Sequence, residues 1–182
     1  LLAEVTSCGP ADADLAIKAA RRAFNSGIWA DMAPAERKRV ILAWADLMAK
    51  HADELAILET LDVGKPISNT TAVDIPSAIA TIRWNGEAID KVYGEIAPTP
   101  AKTLGLVTRL PLGVVTAIVP WNFPLSTTAW KIAPALASGN SVILKPAANT
   151  PLTAIRIAGL AAAAGIPDGV FQVLPGPGSS LG

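Results

Sequence analysis

Apolar positions in the first half of the chain recur mainly at helical spacing. Leu15, Ile17, Ala19, Ala20, Ala23 and Phe24 do so between residues 12 and 24, predicting an amphipathic helix ended by Gly27. A second helix is predicted from Pro34, a residue suited to a first turn, with Val40, Ile41, Trp44, Leu47 and Met48 on one face and Glu36, Arg37, Lys38 and Lys50 elsewhere. A third, over about residues 52–61, stops near Gly64-Lys65-Pro66, and a longer one over about 73–92 carries Pro76 in its first turn. Beyond residue 100 the pattern changes. Residues 104–110 are apolar and β-branched enough for a strand, closed by Pro111 and Gly113. Residues 114–119 form a short, almost wholly apolar run, as expected of a strand covered on both faces. A helix over 127–137, a strand over 142–144, a helix over 151–164 and a strand over 170–174 then complete a β-α-β-α-β series. The expected fold class is therefore α/β: N-terminal helices followed by the βαβαβ unit of a doubly wound, Rossmann-like domain.

Composition narrows the possible functions. Fifteen basic residues balance fifteen acidic ones, so no net field draws nucleic acid or an anionic membrane. Apolar runs such as residues 113–125 are broken by Pro120, Asn122 and Pro124 and fall short of the ~20 residues that span a bilayer. No secretory signal pattern opens the chain, and the single cysteine, Cys8, can form neither an internal disulfide nor a cysteine metal cluster. A reducing cytoplasmic setting is expected. Of the other isolated candidates, the one histidine, His51, has no partner motif and reads as solvated.

In an open parallel sheet, ligands bind outside the carboxyl ends of the strands. The residues there are distinctive. Pro120-Trp121-Asn122-Phe123-Pro124 follows the first strand, Lys145-Pro146-Ala147-Ala148-Asn149-Thr150-Pro151 the second, and Pro175-Gly176-Pro177-Gly178-Ser179-Ser180-Leu181-Gly182 the third. The last reads G-x-G-x-x-x-G, one residue longer than the common dinucleotide fingerprint.

These segments, with Ala129-Trp130-Lys131, Pro134-Ala135-Leu136, Gly139-Asn140 and the upstream Glu59-Thr60-Leu61-Asp62-Val63-Gly64-Lys65-Pro66, resemble the aldehyde dehydrogenase superfamily over nearly the whole chain. Asp74-Ile75-Pro76, Ile82-Arg83-Trp84 and residues 87–95, expected on a helix, look like the bacterial γ-glutamyl-γ-aminobutyraldehyde dehydrogenases. The resemblance implies oxidation of an aliphatic or amino-aldehyde to a carboxylate with NAD or NADP. A cysteine thiolate attacks the aldehyde, hydrogen-bond donors hold the oxyanion, hydride passes to the nicotinamide, and water hydrolyses the thioester. Asn122 matches the oxyanion donor, and Lys145 the lysine that donates to the adenosine ribose hydroxyls. Ile118, Val119, Pro120 and Trp121 would line the cofactor cleft, with Ile118 and Val119 also suited to a core. Gly178 and Gly182 would let the chain pass close to the cofactor. Lys131 matches a position linked to proton transfer or cofactor contact, with a solvated role as the alternative. Asp62 matches a position that helps bind a monovalent cation, or else is an acid at a helix C-terminus.

The resemblance also divides the chain into a helical part (1–95), a bridging and oligomerisation strand (104–112) and a cofactor-binding part (113–182). The nucleophilic cysteine and general-base glutamate would lie beyond Gly182, leaving the 182-residue chain inactive by itself, and Leu1 starts in mid-phrase. The complete protein is expected to be a homodimer or homotetramer. Ala148 stands where many NAD-preferring relatives have an acidic residue, so NADP should be tolerated better than in those relatives. Two alternatives stay open: a non-catalytic nucleotide-binding or structural derivative of the scaffold, and an acyl-transfer relative that uses coenzyme A.

Overall fold

The computed structural model describes residues 2–182; Leu1 and the reading attached to it lie outside the described residues. Helix α1 (Pro10–Asn25) starts two residues before the expected position, because Pro10 fits a first turn and the Asp12 carboxylate accepts the Gly9 N–H at 2.8 Å. Helices α2 (Pro34–Lys50) and α3 (Ala52–Val63) follow, and α3 ends at Gly64 with φ +81°, a conformation that favours glycine. The fourth predicted helix differs from expectation at both ends. A short α4 (Ile67–Asn69) runs into a π-helical turn (Thr70–Asp74) and then α5 (Ile75–Ala88). Pro76 has no N–H to offer the carbonyl four residues back, and a widened turn before it accommodates that loss. Lys91 to Gly94 are not helical, and Glu95 opens strand β1 (Glu95–Ala97), which the apolar pattern did not indicate. Strand β1 pairs antiparallel with β2 (Gly105–Val107), a shorter strand than the 104–110 segment predicts.

Strands β3 (Val114–Ile118), β4 (Ser141–Lys145) and β5 (Phe171–Val173) form a parallel sheet in the order β3-β4-β5, connected by α6 (Pro124–Ala137) and α7 (Leu152–Ala164). The alternation of β4 builds two cores. Val142 and Leu144 enter the large cluster with Trp29, Trp44, Leu125, Leu136 and Ile157, while Ile143 points the other way, onto Ala16 and Ala20 of α1. Every residue of β4 is buried. The expectation that β3 is covered on both faces is not met: Thr116 and Ile118 are exposed, Ile118 to 55%. Among the described residues β3 has a strand on one side only, and the cover over its carboxyl end is open.

Candidate functional site

The register brings the first two loops together. Ile118 pairs with Lys145, and the Val119 N–H donates to the Lys145 carbonyl at 3.1 Å, so both strands release their loops at the same height. Val119 is buried, whereas Ile118, Pro120, Trp121, Asn122 and Phe123 are exposed. Of the four residues expected to line a cleft, Val119 offers its backbone alone and the other three present a continuous open surface. The Asn122 side chain has no hydrogen-bond partner among the described residues, which leaves both amide donors available.

Lys145 is held differently. It is buried to 6% exposure, yet its Nζ has one partner, the Pro146 carbonyl at 3.1 Å, for three donors. A buried ammonium with unspent donors calls for an oxygen-rich ligand, and a narrow cavity of ≈ 110 Å³ lies against it, lined by Ala13, Ile17, Thr116, Ile143, Leu174 and Leu181. The cavity is thus largely apolar, with Lys145 as its one charged lining residue. Ala148 is exposed and borders another cavity, of ≈ 280 Å³, with Asp62, Asn149 and the segment around Leu2 and Val5. Lys131 is exposed on α6 and borders none of the cavities beside the strand-end loops.

Helix α8 (Gly178–Leu181) begins at Gly178, beside which a Cβ would meet open space, and Gly182 follows its last residue. At Gly182 a Cβ would run into the Gly178 carbonyl oxygen, and at Gly176 it would meet another segment of the chain. A Cβ there would stand 2.7 Å from the Cys8 carbonyl oxygen, and Cys8 in turn donates its N–H to Pro175 at 2.8 Å. The Cys8 thiol is buried, and burial followed by the nearby Asp12 charge pushes its pKa up, the reverse of what a nucleophile needs.

The Asp62 carboxylate accepts the Leu152 N–H at 2.7 Å, at the start of α7, and burial raises its pKa against that hydrogen bond. Among the described residues no group of three or more His, Cys, Asp or Glu could hold a metal ion. Two residues of the motif Glu59 to Pro66 reach the loop that bears Asn122 and the helix start after it. Glu59 is fully buried and accepts the Leu125 N–H at 3.3 Å, and burial is the main cause of a pKa pushed up to about 7. Lys65 lies 3.5 Å from the Phe123 ring centroid and pairs with Asp74 at 2.7 Å. Their spacing in Glu59 to Pro66 was the available signal; which loops they reach depends on tertiary packing.

Comparison with known proteins bears on the family and the fold. The Aldehyde dehydrogenase family model matches residues 1–182. The chain is 55% identical over 181 residues to the NADP/NAD-dependent aldehyde dehydrogenase PuuC of Escherichia coli K12, covering all of this chain and 37% of that protein. The crystal structure of γ-glutamyl-γ-aminobutyraldehyde dehydrogenase from Burkholderia cenocepacia superposes with a TM-score of 0.97 at 60% identity, over 98% of this chain and 36% of that one. A mutant of the P. syringae indole-3-acetaldehyde dehydrogenase AldA, in complex with NAD+ and IAA, gives 0.98 at 58% identity, over 100% of this chain and 37% of that one. The chain thus spans little more than a third of the length of these relatives. No helix among the described residues is long and apolar enough to cross a membrane.

Proposed function

Because the chain belongs to the aldehyde dehydrogenase family, we propose that it supplies the cofactor-binding portion of an enzyme that oxidises an aliphatic or amino-aldehyde to its carboxylate with NAD or NADP. The observation that carries this reading is the shared register of β3 and β4, which releases at one end of the parallel sheet a loop with an exposed Asn122 amide that has no partner among the described residues, beside the strand end bearing a buried Lys145 ammonium with one acceptor for three donors. Lys145 would donate to the ribose hydroxyls of the adenosine half. Ile118, Pro120 and Trp121 offer apolar surface beside it, Val119 its backbone, and Gly178 and Gly182 a close approach for the diphosphate. When bound, the nicotinamide supplies the hydride acceptor.

Asn122 acts on the aldehyde itself. As a thiolate adds to the carbonyl carbon, charge gathers on the oxygen, and a fixed neutral N–H stabilises it without any proton transfer. The thiolate, and the base that activates water to release the product from its thioester, belong to the part of the enzyme outside these residues. In the full-length enzyme Asn122→Ala should lower kcat by about 10²–10³, and Lys145→Ala should raise the cofactor Kd. A kcat within about threefold of the parent would overturn the role of Asn122.

The proposed division is a helical part up to residue 95, a bridging segment around 104–112 and a cofactor-binding part over 113–182. The bridging segment leaves Leu106, Leu110 and Leu112 exposed, as β1 does Ile96, which supports a homodimer or homotetramer. The cavity beside Asp62 and Asn149 is the proposed place for a monovalent cation; equal thermal midpoints in sodium, potassium and choline chloride would remove that assignment.

A further inference from the structure

Of the motif Glu59 to Pro66, the function proposed above uses only the cavity beside Asp62, yet side chains of the motif reach both functional loops. Helix α3 carries Glu59 and Asp62 one turn apart, and their carboxylates diverge. Glu59 takes the Leu125 N–H at the start of α6, just after the loop that bears Asn122. Asp62 takes the Leu152 N–H at the start of α7, just after the loop that Lys145 opens. The first N–H groups of a helix have no partner within it, and a residue at the helix start usually supplies one. Neither α6 nor α7 has such a side-chain cap of its own. Both take it from α3, and the dipoles of α6 and α7 favour a carboxylate at their N-termini, against the opposing dipole at the C-terminal end of α3. Lys65, just past the end of α3, adds a third tie by stacking on Phe123, next to Asn122.

A buried carboxylate is a costly way to cap a helix, since a serine or threonine at the helix start would serve with less desolvation. What this arrangement adds is geometric. The entry points of both loops are referred to one rigid helix, so that the oxyanion donor and the ribose-binding lysine keep a fixed separation. We propose that α3 is the shared positioning element of the site, with Glu59 setting the placement of Asn122 and Asp62 that of Lys145. This inference rests on the roles proposed above for Asn122 and Lys145.

The two arms separate in different measurements on the full-length enzyme: kcat at saturating cofactor, and the Kd of NAD+ or NADP+ by quenching of tryptophan fluorescence. Glu59→Leu, which removes the acceptor, should lower kcat about tenfold or more while leaving the cofactor Kd within about twofold, and Glu59→Gln, which keeps an oxygen acceptor, should restore most of the loss. Asp62→Leu should raise the cofactor Kd about fivefold or more and lower kcat at saturating cofactor by much less than Glu59→Leu does, and Asp62→Asn should restore the Kd. If the leucine variants do not fold, Glu59→Asp decides, because a side chain one methylene shorter should reproduce the kcat loss in milder form. Equal shifts of both quantities in both variants, failure of the amide variants to rescue, or no shift in any variant would overturn the proposal. Asn122→Ala and Lys145→Ala belong in the same assays. If they leave kcat and Kd unmoved, the functional reading has failed; if they move and the α3 variants do not, the positioning role has failed.

Discussion

The parallel sheet with its covering helices and the β1–β2 hairpin handle apolar residues in opposite ways. In the sheet region the largest side chains are fully covered and their polar atoms are paired: Trp29 Nε1 donates to Leu136 at 3.0 Å and Trp44 Nε1 to Ile157 at 3.1 Å. On the hairpin, Ile96 and Leu106 face each other across the strands at 74% and 65% exposure. Leu110 and Leu112 beyond it are barer still, and a cavity of ≈ 410 Å³ separates the returning segment from α5 and α6. The core of the first region closes over its large side chains and stays open only toward the end of β3, where Ile118 is exposed. The second carries an apolar surface that a monomer rarely leaves open, which supports the subunit contact proposed for this segment.

The core should break most severely at Trp44. Its ring packs 5.7 Å from that of Phe171, and removal also leaves the Ile157 carbonyl without its donor. Trp44→Ala is expected to cost about 3–5 kcal/mol, read as a lowered denaturant midpoint in the full-length enzyme. A loss below about 1 kcal/mol would mean that the core is looser than its burial indicates.

Glu59 is among the polar residues buried against that core, and its effect depends on pH. Burial raises its pKa from 4.5 to about 7, so the folded state binds a proton that the unfolded chain has already released. The folded state is fully favoured below about pH 4.5, and that advantage falls away as pH rises through about 7. Lys65 offsets part of the penalty of ionisation and Asp74 adds to it. A shift of that size corresponds to about 3 kcal/mol, an order-of-magnitude figure. Glu59→Gln cannot ionise. Its stability relative to the parent should therefore climb between pH 5 and pH 8, and a difference flat with pH would contradict the raised pKa.

Ala148→Glu sharpens the contrast at the loop edge with a smaller change. Ala148 borders a different cavity from Lys145, so a carboxylate here must reach back along the loop to accept a ribose hydroxyl. It would also stand near Asp62, whose charge opposes it. The new hydrogen bond is worth roughly 0.5–1.5 kcal/mol, so the ratio of kcat/KM for NAD over NADP should rise about two- to tenfold. A ratio that stays put, or a parent that already rejects NADP by more than about a hundredfold, would overturn this account of cofactor choice.

The type of nearly every core element was legible in the apolar pattern, because Trp44, Val142 and Leu144 contribute the same burial wherever their partners come from. Coverage was not. Ile118 has the side chain of a core residue, and its exposure is decided by what lies over the end of β3, which no local pattern contains. Strand β1 escaped because Glu95 opens it, Pro98 and Pro100 follow it, and its pairing with β2 buries little apolar surface. Asn122 and Lys145 could be identified through their motifs. The ties from Glu59 and Asp62 join residues 66 and 90 apart, and a distance of that kind appears only once the chain has folded.

The hairpin gives the smallest change in the stability of the subunit itself. Leu106 touches Ile96 across the strand pair and little else, so Leu106→Asp forfeits one exposed cross-strand contact, about 0.5 kcal/mol. A charge on an edge hairpin is compatible with an isolated subunit and incompatible with an apolar interface, because a carboxylate buried there without a partner is strongly disfavoured. The full-length variant should keep its denaturant midpoint, once measured below the assembly concentration, and should scatter light as a smaller species than the parent. An unchanged mass would place the interface elsewhere, and a midpoint that collapsed with it would show that the hairpin belongs to the subunit core after all.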